Sequence, residues 1–137
     1  MLALALLLSC GPARDPQAPF LTNLSYDGQA QRNAMVLLFS VDLEDSEGDL
    51  AAGVLRPFVN DRDTGEAPVP LDELLLASSL PQDAVQGRLL FNLEVEMSLD
   101  PATRPQSGAT FKVGVEIEDA SQHASNRPSV TLQIGYP

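Results

Sequence analysis

The chain has 137 residues with 19 acidic and 8 basic side chains, a net charge of −11 that repels nucleic acid and anionic lipid headgroups. Tryptophan is absent and aromatic residues make up 5% of the chain, which weighs against sugar-stacking surfaces and single-strand nucleic-acid platforms. The single cysteine excludes an intramolecular disulfide and a thiolate metal cluster. The length suits one domain preceded by a short leader.

The chain begins with an apolar segment, residues 1–9, that ends in the small residue Ser9 directly before Cys10. The segment is too short to cross a bilayer as a helix, which takes about 20 residues, and it has the pattern of a signal peptide. It contains no Lys or Arg, so we expect the start codon to lie upstream of Met1. A Gly-Pro pair directly after Cys10 argues against the alternative, a buried N-terminal strand with a core cysteine.

The motif Leu7-Leu8-Ser9-Cys10 resembles the lipobox of bacterial lipoproteins, with leucine three residues before the cysteine and a small residue immediately before it. The resemblance implies that the signal peptide is removed before Cys10, and that acyl chains on Cys10 anchor the protein in a membrane. It also implies the cell envelope, with the outer membrane favoured because Gly11, not aspartate, follows the cysteine. Residues 10–19 contain three prolines and are expected to form a flexible tether.

From Phe20 onward, apolar and polar residues alternate with a period of two, which is typical of half-buried β-strands. The clearest segments are 34–43, 89–97, 111–118 and 130–134, with weaker ones at 20–26 and 50–60. Pro57 predicts an edge or a bulge in the last of these, and 71–77 fits either a short helix or a further strand. Turn signals separate the segments. The pattern predicts an all-β fold, an antiparallel β-sandwich of about seven strands over residues 20–137.

An acidic loop follows the predicted strand at 34–43. Its five carboxylates within eight residues are Asp42, Glu44, Asp45, Glu47 and Asp49. Like charges at this density repel one another, and a bound cation would relieve the repulsion. Ca²⁺ is the natural candidate because it takes carboxylate and carbonyl oxygens in flexible geometry. The EF-hand pattern does not fit, since Gly48 is not at the required position. On the residues alone, a solvated acidic loop without a metal is the simpler interpretation.

Two segments resemble bacterial immunoglobulin-like domains, a family that includes cadherin-like and fibronectin-type sandwiches. In residues 39–50, FSVDLEDSEGDL, an acidic turn follows an early strand, and in 115–126, VEIEDASQHASN, an aspartate begins a polar loop after the penultimate strand. The resemblance implies an immunoglobulin-like sandwich for adhesion, surface display or spacing, in some members with Ca²⁺ near the acidic turn. The implied Ca²⁺ ligands in this chain are Asp45, Glu47, Asp49 and Asp119, with Asp42 as an additional candidate.

The sequence contains no nucleophile elbow, glycine-rich phosphate loop or HExxH pair. His123, the only histidine, stands where the immunoglobulin-like pattern often has glycine, and we expect an exposed side chain without a role. We therefore predict a non-catalytic lipoprotein, anchored to a membrane, that binds an envelope protein or surface polymer and no nucleic acid. A Ca²⁺-dependent adhesion or sensing module is the alternative. A small envelope hydrolase using paired carboxylates is a third, less favoured one.

Overall fold

A computed structural model describes residues 14–26, 35–64, 67–95 and 110–133, and these form eight strands, one α-helix and one 3₁₀ turn. In chain order the elements are β1 (Phe20–Tyr26), β2 (Met35–Glu44), the 3₁₀ turn (Leu50–Ala52), β3 (Val54–Val59), β4 (Arg62–Asp63), β5 (Val69–Pro70), α1 (Leu71–Ala77), β6 (Gln86–Val95), β7 (Thr110–Glu118) and β8 (Ser129–Gln133). Within the described ranges, no helix has the length and apolar character needed to cross a bilayer.

The strands form two antiparallel sheets. In the first sheet β2 lies between β1 and β6, and in the second the order is β4-β3-β7-β8, with the short β5 paired to the start of β3. The predicted all-β antiparallel sandwich is therefore confirmed. One sheet thus contains an early pair of strands and one late strand, and the other sheet contains the remaining strands.

The core lies between the two sheets and follows the period-two pattern of the sequence. The inward residues of β2, β6 and β7 are Leu37, Phe39, Val41, Leu43, Leu89, Phe91, Leu93, Val113, Val115 and Ile117, and all are buried. Phe39 and Phe91 are paired in register, and their rings stack with centroids 5.5 Å apart. Burial of a large side chain contributes about 1.5–3 kcal/mol, so these strands supply most of the stability.

Two ambiguous segments of the sequence have a clear conformation. Residues 71–77 form the helix α1, which buries Leu71 and Leu75, one turn apart, against the core. Pro57 lies in β3 opposite Val115 of β7, while on the other side of β3 the partners β5 and β4 pair only with its two ends. Pro57, which has no N–H to donate, thus occupies a local edge of the described sheet.

One end of the sandwich carries most of the candidate residues, and we call it the acidic end. It is formed by the loop at 45–49, which follows β2, and by the loop at 119–128, which follows β7. The beginnings of β1 and β6 lie at the same end, because Phe20 and Gln86 both pair with Glu44. The opposite end is marked by the end of β1 and the beginning of β7.

Residues 14–19, part of the predicted tether, lie against the acidic end. The Ser46 hydroxyl donates a hydrogen bond of 2.9 Å to the carbonyl of Pro16. Arg14 forms an ion pair of 3.2 Å with Glu44, and its guanidinium lies 4.0 Å from the centroid of the Phe20 ring. The chain therefore enters the sandwich alongside the acidic loop.

Candidate metal centre

Two carboxylates of the acidic end are buried: Asp45 is 1% exposed and Asp119 is 3% exposed. Each directly follows a strand, and each continues the inward alternation of that strand, Asp45 after Leu43 of β2 and Asp119 after Ile117 of β7. A buried carboxylate is costly unless it is paired, hydrogen-bonded or bound to a metal. Their position therefore requires an explanation beyond solvation of a surface loop.

Backbone hydrogen bonds just beyond the strand ends hold both aspartates in place. The N–H of Asp45 donates to the carbonyl of Val85 at 2.8 Å, and the N–H of Asp119 donates to the carbonyl of His123 at 3.1 Å. A third carboxylate joins them from the loop at 45–49. Asp45, Asp49 and Asp119 each offer an oxygen, and the three oxygens lie within 4.8 Å of one another. We call these three side chains the carboxylate triad.

Part of the triad lacks hydrogen-bond partners. Oδ1 of Asp45 and Oδ1 of Asp49 are buried and have no partner among the described residues. Oδ2 of Asp45 accepts the N–H of Asp49 at 3.2 Å, and Oδ2 of Asp49 accepts the hydroxyl of Ser121 at 2.9 Å. No Lys or Arg in the described part of the chain forms an ion pair with the triad. Unsatisfied buried oxygens of this kind call for an ordered water or an ion.

Burial raises the pKa of Asp45 above the usual value for an aspartate. The N–H of Asp49 acts in the opposite direction, while the nearby carboxylate of Asp49 raises the pKa of Asp45 further. The like-charge repulsion expected from the sequence is therefore present in the folded chain. A divalent cation between these oxygens would remove the repulsion and favour the ionised form.

The two loops are tied together around the triad. The N–H of Ala120 donates to the carbonyl of Asp49 at 3.2 Å. Farther along the second loop, the amide of Asn126 pairs with the backbone of Leu21: its Oδ1 accepts the Leu21 N–H and its Nδ2 donates to the Leu21 carbonyl, both at 2.7 Å. These contacts connect the second sheet to the first strand of the first sheet, so the triad rests on both sheets.

His123 contacts the triad, and the expectation that it is an exposed side chain is wrong. A turn in which Gln122 N–H donates to the Asp119 carbonyl returns the chain, so that His123 N–H donates to Asp119 Oδ1 at 2.8 Å. Its ring Nδ1 lies 3.2 Å from Oδ2 of Asp119, and the side chain is 29% exposed. The only sequence signal for this contact was that His123 follows Asp119 by four residues within a polar loop.

The negative charges around His123 raise its pKa by more than partial burial lowers it. Burial acts to lower the pKa of the imidazole, but the hydrogen bond and charge of Asp119, with the charges of Asp15 and Glu47, raise it above its usual value. Glu47, Asp119 and His123 form a second group whose ligand atoms lie within 4.8 Å of one another. Asp119 thus belongs to both groups.

Asp42 lies outside both groups. Its side chain accepts hydrogen bonds from Arg88 at 2.9 and 3.3 Å and from Asn23 at 2.9 Å, and these contacts lower its pKa. Of the five predicted ligands, the structure brings together Asp45, Asp49 and Asp119, places Glu47 beside Asp119, and directs Asp42 to Arg88.

No protein-family model, curated protein or solved structure matches this chain. A ligand for the acidic end can therefore be inferred only from the chemistry of its residues. Oxygen donors from three carboxylates suit a hard cation of flexible coordination, which is the preference of Ca²⁺. Mg²⁺ requires a near-ideal octahedron and usually keeps several waters, so a set of buried protein carboxylates suits it less well.

Proposed function

We propose that this protein is a membrane-anchored, non-catalytic β-sandwich that binds Ca²⁺ at its acidic end and serves in binding or structural support in the cell envelope. The observation that carries the proposal is Oδ1 of Asp45, which has no hydrogen-bond partner among the described residues. Its residue is 1% exposed and lies beside two further carboxylates. A cation there would satisfy this oxygen and neutralise the group.

Bound Ca²⁺ would join the two loops of the acidic end. Asp45 and Asp49 come from the loop after β2, and Asp119 comes from the loop after β7, so one cation would connect the two sheets. Glu47 is exposed on the same loop as Asp45 and Asp49, and can add a further oxygen. The cation would thereby fix the entry of the chain into the sandwich, because residue 16 is hydrogen-bonded to that loop.

Thermal unfolding of the full chain in detergent, with millimolar Ca²⁺ or with a chelator, tests the Ca²⁺ proposal. A ligand that binds only the folded state at one hundred times its Kd stabilises the protein by about 2.7 kcal/mol. In a domain of this size that corresponds to a rise in Tm of roughly 10 °C. The proposal fails if Ca²⁺ leaves the Tm unchanged, and Mg²⁺ at the same concentration is the control for charge screening.

The anchor is the second part of the proposal, and the motif at Leu7-Leu8-Ser9-Cys10 supports it. We expect radiolabelled palmitate to be incorporated into the wild-type chain expressed with its upstream frame in a bacterium. We expect no label on a Cys10→Ser variant, because that cysteine supplies the only thiol. Label retained on Cys10→Ser, or absent from the wild type, would overturn the anchor and leave the Ca²⁺ proposal standing.

A hydrolase that uses paired carboxylates has less support as the function of this protein. A cleft between β6 and β3 is lined by apolar residues, including Leu55, Val69 and Phe91, and by Asn92, without a titratable side chain. The clustered carboxylates lie instead at the acidic end, on two loops that hydrogen bonds link to each other. For these reasons we propose a role in binding an envelope protein or a surface polymer.

A further inference from the structure

The second group of the acidic end contains a nitrogen ligand, which a Ca²⁺ site does not require. His123 supplies the only imidazole of the chain, and its Nδ1 lies 3.2 Å from Oδ2 of the fully buried carboxylate of Asp119. Two ligands of one Zn²⁺ ion, each about 2.0–2.2 Å from the metal, lie roughly 3.0–3.5 Å apart. The separation of 3.2 Å in the metal-free chain is that of a hydrogen bond between the two side chains, and it is also compatible with two donors to one metal.

We propose that Glu47, Asp119 and His123 form a second metal position, adjacent to the carboxylate triad, that takes a divalent transition metal such as Zn²⁺. Imidazole suits zinc and its neighbours in the periodic table, whereas Ca²⁺ takes oxygen ligands. Two carboxylates and one histidine leave coordination sites open for water or for a group from a partner.

The geometry allows Asp119 to serve both positions. A carboxylate has about four lone-pair sites, and only Oδ1 of Asp119 is committed to a backbone hydrogen bond, with His123 N–H at 2.8 Å. Glu47 is exposed, so its side chain can turn toward the metal. Asp45 is not part of this group, but its buried Oδ1, which has no hydrogen-bond partner among the described residues, lies in the triad that shares Asp119 with it.

The second position goes beyond the Ca²⁺ site. The two groups share Asp119, but Asp45 and Asp49 belong only to the triad and His123 belongs only to the second group. His123→Ala removes a donor from the second position only, and Asp49→Asn alters the triad only. We expect His123→Ala to lower the affinity for Zn²⁺ at least about tenfold and to leave the Ca²⁺ affinity within about twofold. We expect Asp49→Asn to lower the affinity for Ca²⁺ and to leave the affinity for Zn²⁺ within about twofold.

Titration calorimetry with Zn²⁺ and, separately, with Ca²⁺ measures both affinities on the full chain in detergent, without a histidine tag. NMR of the imidazole C–H protons gives a direct readout, since both signals belong to His123 alone. We expect these signals to shift with Zn²⁺ in the wild type and in Asp49→Asn.

Three results would overturn the second position: no Zn²⁺ binding, Zn²⁺ binding that His123→Ala leaves unchanged, or His123 signals that do not respond to Zn²⁺. Zn²⁺ binding through His123 without any Ca²⁺ effect on the Tm would support the second position and reject the Ca²⁺ proposal. Ca²⁺ binding without Zn²⁺ binding would support the Ca²⁺ proposal and reject the second position. The failures of the two proposals are therefore distinguishable.

Discussion

Replacing Asp45 with asparagine should raise the Tm of the metal-free chain and abolish its stabilisation by Ca²⁺. Asparagine keeps an oxygen that can accept the Asp49 N–H, but it removes a buried negative charge that has no cationic partner in the part of the chain that the structure describes. Loss of this ligand should remove most of the roughly 2.7 kcal/mol expected at one hundred times the Kd. The opposite signs with and without Ca²⁺ are the signature of a metal ligand and would not arise from a merely structural aspartate.

The pH dependence of the metal-free chain gives the same prediction an independent check. Because burial raises the pKa of Asp45, the folded state holds the proton more tightly than the unfolded state, whose aspartate pKa is about 3.9. Its contribution to stability is present at low pH and is lost as the pH rises through the folded-state pKa. In Asp45→Asn this decline should be absent when urea unfolding is measured between acid and neutral pH in chelator.

Asp42→Asn is the matched control, since Asp42 lies three residues away and outside the triad. Hydrogen bonds from Arg88 and Asn23 lower its pKa, so its charge stabilises the fold above the unfolded pKa, the reverse of Asp45. Its pair with Arg88 is partly exposed, and loss of such a pair costs about 1 kcal/mol or less. We expect a slightly lower Tm and an unchanged Ca²⁺ response. A Ca²⁺ response that survives Asp45→Asn would reject the triad.

Replacing Gly53 with alanine should destabilise the fold by about 3 kcal/mol and weaken Ca²⁺ binding. A Cβ at this position would overlap the carbonyl oxygen of Glu118, and it would lie 3.0 Å from the Leu50 carbonyl oxygen and 3.1 Å from Cα of Asp119. Backbone atoms cannot swing aside as a side chain can, and overpacking of this kind typically costs about 1–3 kcal/mol or more. Relief by displacement of β7 would move Asp119 away from the triad.

Backbone hydrogen bonds hold Gly53 on both sides, so its backbone cannot easily shift to make room for a Cβ. Its N–H donates to the Leu50 carbonyl at 2.7 Å, and its carbonyl accepts the Leu71 N–H at 3.0 Å. Gly114→Ala is the control, because a Cβ there meets its nearest atom, the Pro128 carbonyl oxygen, at 3.4 Å. Chemical denaturation and calcium titration of both variants measure the two effects. Equal stability of the two variants would contradict the close approach at Gly53.

The alternation of residues was sufficient to predict the sheets, because one face of each long strand is buried. β2 and β6 follow the predicted segments closely, since Leu37, Phe39 and Leu89 all belong to an uninterrupted inward series. The two-residue strands β4 and β5 were not predictable, because two residues carry no period. The choice between helix and strand at 71–77 depended on contacts of Leu71 and Leu75 with a core assembled from distant segments.

The candidate site was predictable in part. The acidic loop and Asp119 were identified, but composition alone does not separate Asp45, which faces inward, from Asp42, which faces Arg88 46 residues away. If the inward alternation of β2 is continued past Leu43, the next inward residue is Asp45, whereas Asp42 lies on the outward face. The contact of His123 with Asp119 depends on a turn in which Gln122 adopts a φ of 67°, and the residue types there do not specify that turn.

The contacts of residues 14–19 with the acidic end also determine how the molecule would be oriented. Arg14 follows Cys10 by four residues, which span at most about 14 Å of extended chain. With Cys10 in a bilayer, as proposed, the two loops of the acidic end would face the lipid headgroups, and the opposite end, marked by Tyr26 and Thr110, would point into the aqueous compartment. A soluble partner would then meet that distal end first, while ions concentrated at the membrane surface would have the shortest path to Asp45 and Asp119.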